Sequence, residues 1–306
     1  MTADTASPAP PVSAPPATAG LSYGASVLRA LRRNHVAQAA VAVLCLVVIV
    51  GLGAPLLAPH DPQAQDLTHR LMAPFWMHGG SADHLLGTDQ LGRDVLSRVL
   101  YGTRISLLVG VSATVLSGVI GTLFGMLSGY FGRWVEVVLM RVADVQLSFP
   151  TILLALVIVA VLGPDLWFVV LVLGATGWVS YARVIRAEVM SLRSREFITA
   201  ARAAGTGDLH IMWRHLRPNV TAPLLTIATL QIAAMIIAEA SLSYLGLGVP
   251  PTIPTWGGML SDGQLYIRTA WWVSVFGGGA IMLTTLSINV VGDMLRDTAD
   301  PKAYRK

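Results

Sequence analysis

The chain has 306 residues, 54% of them hydrophobic and only 12% charged, with a mean hydropathy of +0.64. Soluble domains carry about 25% charged residues, so this balance points to a polytopic membrane protein. The formal charge of +4 and pI near 9.5 do not point to nucleic acid, because the charges cluster at the ends of apolar runs. The single cysteine, Cys45, leaves no intrachain disulfide framework and no thiolate metal site.

Residues 1–24 are mostly Ala, Pro, Ser and Thr without a periodic apolar face, and a disordered tail is expected there. Arg29, Arg32 and Arg33 precede the apolar run 36–57. About 20 such residues cross a hydrocarbon core of roughly 30 Å, so this is the first transmembrane helix. Residues 58–103 are mixed and polar, an expected extracytoplasmic loop. Within them HLLGTDQLGRDVLSRVLYGTR has Leu91, Val95, Leu96 and Val99 at helical spacing, with Arg93, Asp94 and Arg98 on other faces. That pattern predicts an interfacial amphipathic helix. Further spans are expected at about 104–129, 133–162, 165–190, 219–244 and 271–294, followed by a tail over 295–306. The fold class is thus all-α with six transmembrane helices.

With the N-terminus inside, the inner segments hold fifteen Lys and Arg residues against five in the outer ones. The positive-inside rule then makes both termini cytoplasmic, and with them the segment 196–218. That segment is more structured than a connection requires. An Ala-rich phrase, Glu196 to Ala204, contains Ala200 and Ala201 and ends at Gly205, where a left-handed cap residue is wanted. Asp208 is expected to cap a second helix bearing Leu209, Ile211, Met212 and Leu216, which Pro218 should stop. A rigid helix pair facing water is a docking element.

Enzyme signatures are missing. There is no G-x-x-x-x-G-K-S/T, and the only lysines are Lys302 and Lys306; H-E-x-x-H and G-x-S-x-G do not occur either. No bound cofactor is expected, and an energy source would have to come from another chain. Arg141 and Asp144, three residues apart on one face of a span, each cost on the order of 3 kcal/mol at a bilayer centre. Two readings stand: they line a translocation path, or they lock neighbouring helices as an ion pair. Glu239 is open to the same two readings. Pro150 should kink the third span and free backbone carbonyls. No internal repeat is visible, which weakens an ATPase-independent secondary transporter.

The segment 196–218 resembles the EAA signature of ABC importer permeases, with Thr199-Ala200-Ala201 at E-A-A, Gly205 at the glycine and Pro218 at the proline. The departures at Thr199, His215 and Arg217 are like those of the peptide and nickel branch. LLGTDQLGRDVLSRVLYGTRISL, MRVADVQLSFP, EASLSYLGLGVPPTIPTWGGML and GDMLRDTADPK resemble its C-type subunits. The resemblance covers about residues 36–303. It implies a type I ABC importer permease fold in a bacterial plasma membrane and a non-enzymatic role. Implied partners are a B-type permease, two ATPase subunits carrying ATP and Mg, and an extracytoplasmic peptide-binding protein, with nickel or another small solute as the alternative cargo. It makes 196–218 a coupling helix, with Glu196, Ala200, Ala201, Gly205, Asp208 and Pro218 as its residues. On this basis Gly205→Pro and Ala201→Glu are expected to uncouple hydrolysis from uptake.

Overall fold

The computed structural model describes residues 23–299. The tail expected over 1–24 lies outside them but for its last two positions, and 300–306 lie outside entirely. The described chain forms α1 (Tyr23–Arg33), α2 (His35–Leu57), α3 (Val95–Phe131), α4 (Arg133–Leu147), α5 (Thr151–Leu162) and α6 (Leu166–Arg193). It continues with α7 (Glu196–Ala203), α8 (Asp208–Tyr244), α9 (Trp256–Gly263) and α10 (Trp271–Ala299). One isolated bridge, Thr88 to Asp94, is the only β pairing among the described residues. Sequence reading missed α1, which packs against α2 and α10. Asn34 separates it from α2 and caps that helix, its side chain accepting from the Ala37 N–H at 3.1 Å.

Five helices, α2, α3, α6, α8 and α10, are each long and apolar enough to cross a membrane. The expected third span, 133–162, is not one helix. It is the pair α4 and α5, bent by 84° across Ser148–Pro150. Proline has no N–H to donate and pushes the residue before it out of helical geometry, so Phe149–Pro150 ends one helix and starts another.

The packing of α3 on α6 decides whether that pair traverses the bundle. Leu116 meets Gly174, Gly121 meets Trp178 and Tyr181, Gly125 meets Ile185, and Gly129 meets Val189. Numbers rise together, so the two helices run parallel. To leave the far end of α3 and enter α6 at its near end, the chain must cross the bundle through α4 and α5. The described residues therefore make six crossings. The contact is close because Gly121, Gly125 and Gly129 form a small-xxx-small stripe: a Cβ on Gly121 would stand 2.4 Å from the Trp178 carbonyl oxygen.

The bundle has two ends. At one, Leu71, Ala73, Met77 and Leu86 of the 58–94 loop pack on Met259, Trp272 and Val273. At the other, α7 and the start of α8 pack on the last turns of α3 and α6. The first end corrects the interfacial helix. Residues 84–94 fold as turns, because the Asp89 carboxylate accepts from the Leu91 and Arg93 N–H groups at 2.8 and 3.0 Å and competes with helix formation. The helix begins only at Val95, where the Asp94 side chain accepts from the Ser97 N–H at 2.8 Å. It then continues unbroken as α3. Arg93 and Arg98 do not lie on a bilayer surface. Both are buried, and both donate to Asp89 and, at 2.8 Å, to Asp262 in the last turn of α9.

Candidate functional site

The end holding α7 is built around one apolar cluster. Ile198 of α7 and Ile211, Met212 and Leu216 of α8 are buried against Tyr130 of α3 and Ile185, Val189 and Leu192 of α6. Ile198 is the inward residue of a short Ala-rich helix whose other large apolar residue, Phe197, faces outward. The C-terminus of α7 closes as a Schellman motif, with Thr206 N–H donating to the Ala201 carbonyl at 3.1 Å and Gly205 N–H to the Arg202 carbonyl at 2.9 Å. Gly205 has φ +77° with nothing within 4 Å of a Cβ, so glycine is needed there for conformation and not for space.

Outward, Glu196, Ala200 and Gly205 are exposed, together with the apolar side chains of Phe197, Leu209 and Trp213. Ala201 faces the other way and packs against the cluster. A glutamate there would enter the core, so Ala201→Glu probes folding of the segment, whereas Ala200 probes its outer face.

Asp208 is not the cap expected. Gly207 occupies the N-cap position, and the Asp208 carboxylate instead accepts from the Tyr130 hydroxyl at 2.6 Å. The guanidinium of Arg202 lies 4.9 Å from the centroid of the same ring. Tyr130 therefore fastens both phrases of the segment to the end of α3. Pro218 does not stop the second helix either. A π turn over Ile211–Leu216 precedes it, and the Arg217 N–H reaches back five residues to the Met212 carbonyl. The wide turn makes room for a ring that would otherwise clash four residues back, and α8 runs on to Tyr244. Asn219 donates from its side chain to the His215 carbonyl at 2.6 Å.

Arg141 and Asp144 line one cleft of about 600 Å³ with Arg133, Glu136, Arg183 and Arg186. Within it the ion pairs run between α4 and α6. Asp144 accepts from Arg183 at 2.8 Å, and Glu136 from the Arg186 Nε at 2.9 Å. Asp144 thus pairs across to α6 and not with Arg141. Pro150 sits at the bend between α4 and α5. Glu239 lies elsewhere, wholly buried, its carboxylate accepting from Ser106 of α3 at 3.1 Å and from Ser243 one turn on at 2.7 Å. The structure brings Arg141 and Asp144 together and leaves Glu239 and Pro150 apart from them. In the 58–94 loop, hydrogen bonds from Thr68 and His69 hold the Asp66 carboxyl down at about 2.

Sequence reading missed Tyr130, Ser106 and the Asp89–Arg93–Arg98–Asp262 cluster. The glycine stripe at 121, 125 and 129 was a readable signal that α3 approaches another helix closely. Nothing local marks Asp262, which lies 164 residues from Arg98.

Comparison with known proteins agrees with this architecture. Residues 121–304 match the family described as binding-protein-dependent transport system inner membrane component. Residues 22–74 match the N-terminal TM domain of oligopeptide transport permease C. The chain is 44% identical over 259 residues to the di/tripeptide transport system permease protein DppC of Pseudomonas aeruginosa (strain UCBPP-PA14), covering 85% of this chain and 86% of that one. It is 43% identical over 271 residues to the dipeptide transport system permease protein DppC of Escherichia coli (strain K12), covering 89% and 90%. With DppC of Alkalihalophilus pseudofirmus (strain ATCC BAA-2126 / JCM 17055 / OF4) the identity is 39% over 272 residues, covering 89% and 88%.

Proposed function

The chain belongs to the binding-protein-dependent transport system inner membrane components, and we propose from that premise that it carries dipeptides or short oligopeptides across a bacterial plasma membrane. It is a multi-pass permease subunit of an ABC importer with the type I permease fold. In the proposal a B-type permease completes the path and an extracytoplasmic binding protein delivers the peptide. Two ATPase subunits dock on α7, with ATP and Mg held by them and not by this chain. Both termini and α7 face the cytoplasm. The relatives' names favour peptide over nickel as cargo.

One observation carries the docking assignment. The face bearing Glu196, Ala200 and Gly205 is exposed, and small at Ala200 and Gly205, while the opposite face is locked into the core by Ile198 and Tyr130. Small residues let a partner groove approach closely, and the locked inner face passes its displacement on to α3. Since α3 and α6 share the glycine stripe, they move together, and a push on α7 tilts the pair toward the alternate opening.

The test is uptake of a labelled dipeptide into vesicles holding the complete complex, read beside ATP hydrolysis. Ala200→Glu is expected to leave the chain folded and inserted while lowering dipeptide uptake at least tenfold. Undiminished uptake in Ala200→Glu, or equal uptake with the ATPases left out, would overturn the assignment.

A further inference from the structure

Three side chains that the transport reading does not use meet at the loop end of the bundle. His60 follows α2, His84 lies in the loop, and Asp94 caps α3. One ligand atom from each lies within 4.8 Å of the others. Asp94 Oδ1 stands 3.0 Å from His84 Nδ1 and 3.9 Å from His60 Nδ1, and the two imidazole centroids are 4.8 Å apart. Ligand atoms about 2.0–2.1 Å from a tetrahedral ion are themselves roughly 3.3 Å apart, so these separations need only small adjustments.

The frame around them is already fixed. The second Asp94 oxygen accepts from the Ser97 N–H at 2.8 Å, and Ser97 Oγ accepts from the His60 N–H at 3.1 Å. The His84 carbonyl accepts from the Gly87 N–H at 2.8 Å. The first bond orients the Asp94 carboxylate as such partners orient metal ligands, and the other two hold the backbones of His60 and His84 in place. Side-chain exposure rises from 1% at Asp94 through 15% at His84 to 39% at His60, which leaves a route in from solvent. A helix cap needs only Asp94. The second imidazole, brought from a separate stretch of chain to the same carboxylate oxygen, is what a cap does not explain.

We propose that His60, His84 and Asp94 form a binding site for a first-row transition-metal dication such as Zn2+. Two neutral imidazoles and one carboxylate suit such ions, whereas Mg2+ and Ca2+ prefer all-oxygen sets. The bound ion clips the end of α2 and the 58–94 loop to the start of α3. His60 also lines a cleft of about 760 Å³ with Pro55, Tyr101, Arg104 and Ile253, so the clip sits at the rim of that opening. His69, whose ring centroid is 6.4 Å from that of His84, is held by Asp66 at 2.6 Å and lies outside the set. The site does not rest on the identity of the transported solute.

The experiment titrates Zn2+ alone into the full chain, purified in detergent and stripped of metal, following heat of binding and melting temperature. One Zn2+ per chain is expected to bind and raise the melting temperature. His60→Ala and His84→Ala should each weaken binding about 100-fold and abolish the melting shift. Asp94→Asn keeps a capping side chain and should still weaken Zn2+ binding, while His69→Ala should bind like the parent. His60 is the half-exposed member and no part of the cap, so His60→Ala is the decisive variant. Unchanged Zn2+ affinity in His60→Ala, or binding that disappears in His69→Ala instead, would overturn the site.

Discussion

Asp89 shows how much depends on a single carboxylate at the loop end. It is fully buried and accepts from both Arg93 and Arg98, themselves nearly excluded from water. Removing one member of such a cluster leaves an uncompensated buried charge, at a cost of about 3–5 kcal/mol. Asp89→Ala is therefore expected to lower the melting temperature of the purified chain severely. Asp262→Ala should cost less, because that side chain is 30% exposed and water can take its place. Equal losses would show that the shared burial is not what sets the scale. Tyr130→Phe is a subtler change: it keeps the ring under Arg202 and deletes only the hydroxyl bond to Asp208. With Asp208 itself exposed, the expected loss of stability is about 1 kcal/mol. Dipeptide uptake per ATP hydrolysed should fall further than that, since the bond joins α3 to the segment proposed to dock the ATPases; an unchanged ratio would make Tyr130 a packing residue only.

At the scale of elements, α3 and α6 set the architecture, and their contact is sharply position-dependent. A Cβ at Gly121 would meet the Trp178 carbonyl oxygen and the Tyr181 Cβ, both at 2.4 Å, and neither is a flexible side-chain end. At Gly118, three residues earlier, the nearest atom is 3.6 Å away, in ordinary contact. Gly121→Ala should thus destabilise by about 1–3 kcal/mol through overpacking, while Gly118→Ala should be neutral or slightly stabilising through helix propensity. Thermal unfolding of the two variants side by side checks this, and equal behaviour would remove the close approach as the cause. The same elements show what a sequence discloses. Spans 36–57, 165–190 and 271–294 were legible because lipid demands a long apolar run. Gly205 was legible because a Schellman cap is local. The start of α3 was not, since apolar spacing over 91–99 favours a helix and only Asp89, folding back on its own backbone, prevents it. The passage of α8 through Pro218 was hidden because a π turn leaves no composition signal. The role of Asp208 depends on Tyr130, 78 residues away.

For the whole molecule, the parallel run of α3 and α6 is the fact from which topology follows. Were α4 and α5 a re-entrant hairpin, α6 would have to start where α3 ends, and Gly121, Gly125 and Gly129 could not meet Trp178, Ile185 and Val189 in that order. The bent pair must cross, and six crossings return the chain to the side on which it began. The excess of Lys and Arg at the α7 end predicts that this side faces the cytoplasm. Cysteine labelling tests the orientation of the two ends. In a Cys45→Ser background, Leu265→Cys places a thiol at the loop end, where the native side chain is 85% exposed. Ser194→Cys places one in the exposed turn between α6 and α7. A membrane-impermeant maleimide applied to intact cells should label Leu265→Cys and reach Ser194→Cys only after permeabilisation. The reverse pattern would invert the molecule and take α7 out of reach of any cytoplasmic ATPase. Labelling of both thiols in intact cells would place the two ends on one side, and the crossing by α8, the span between the two thiols, would fall with it.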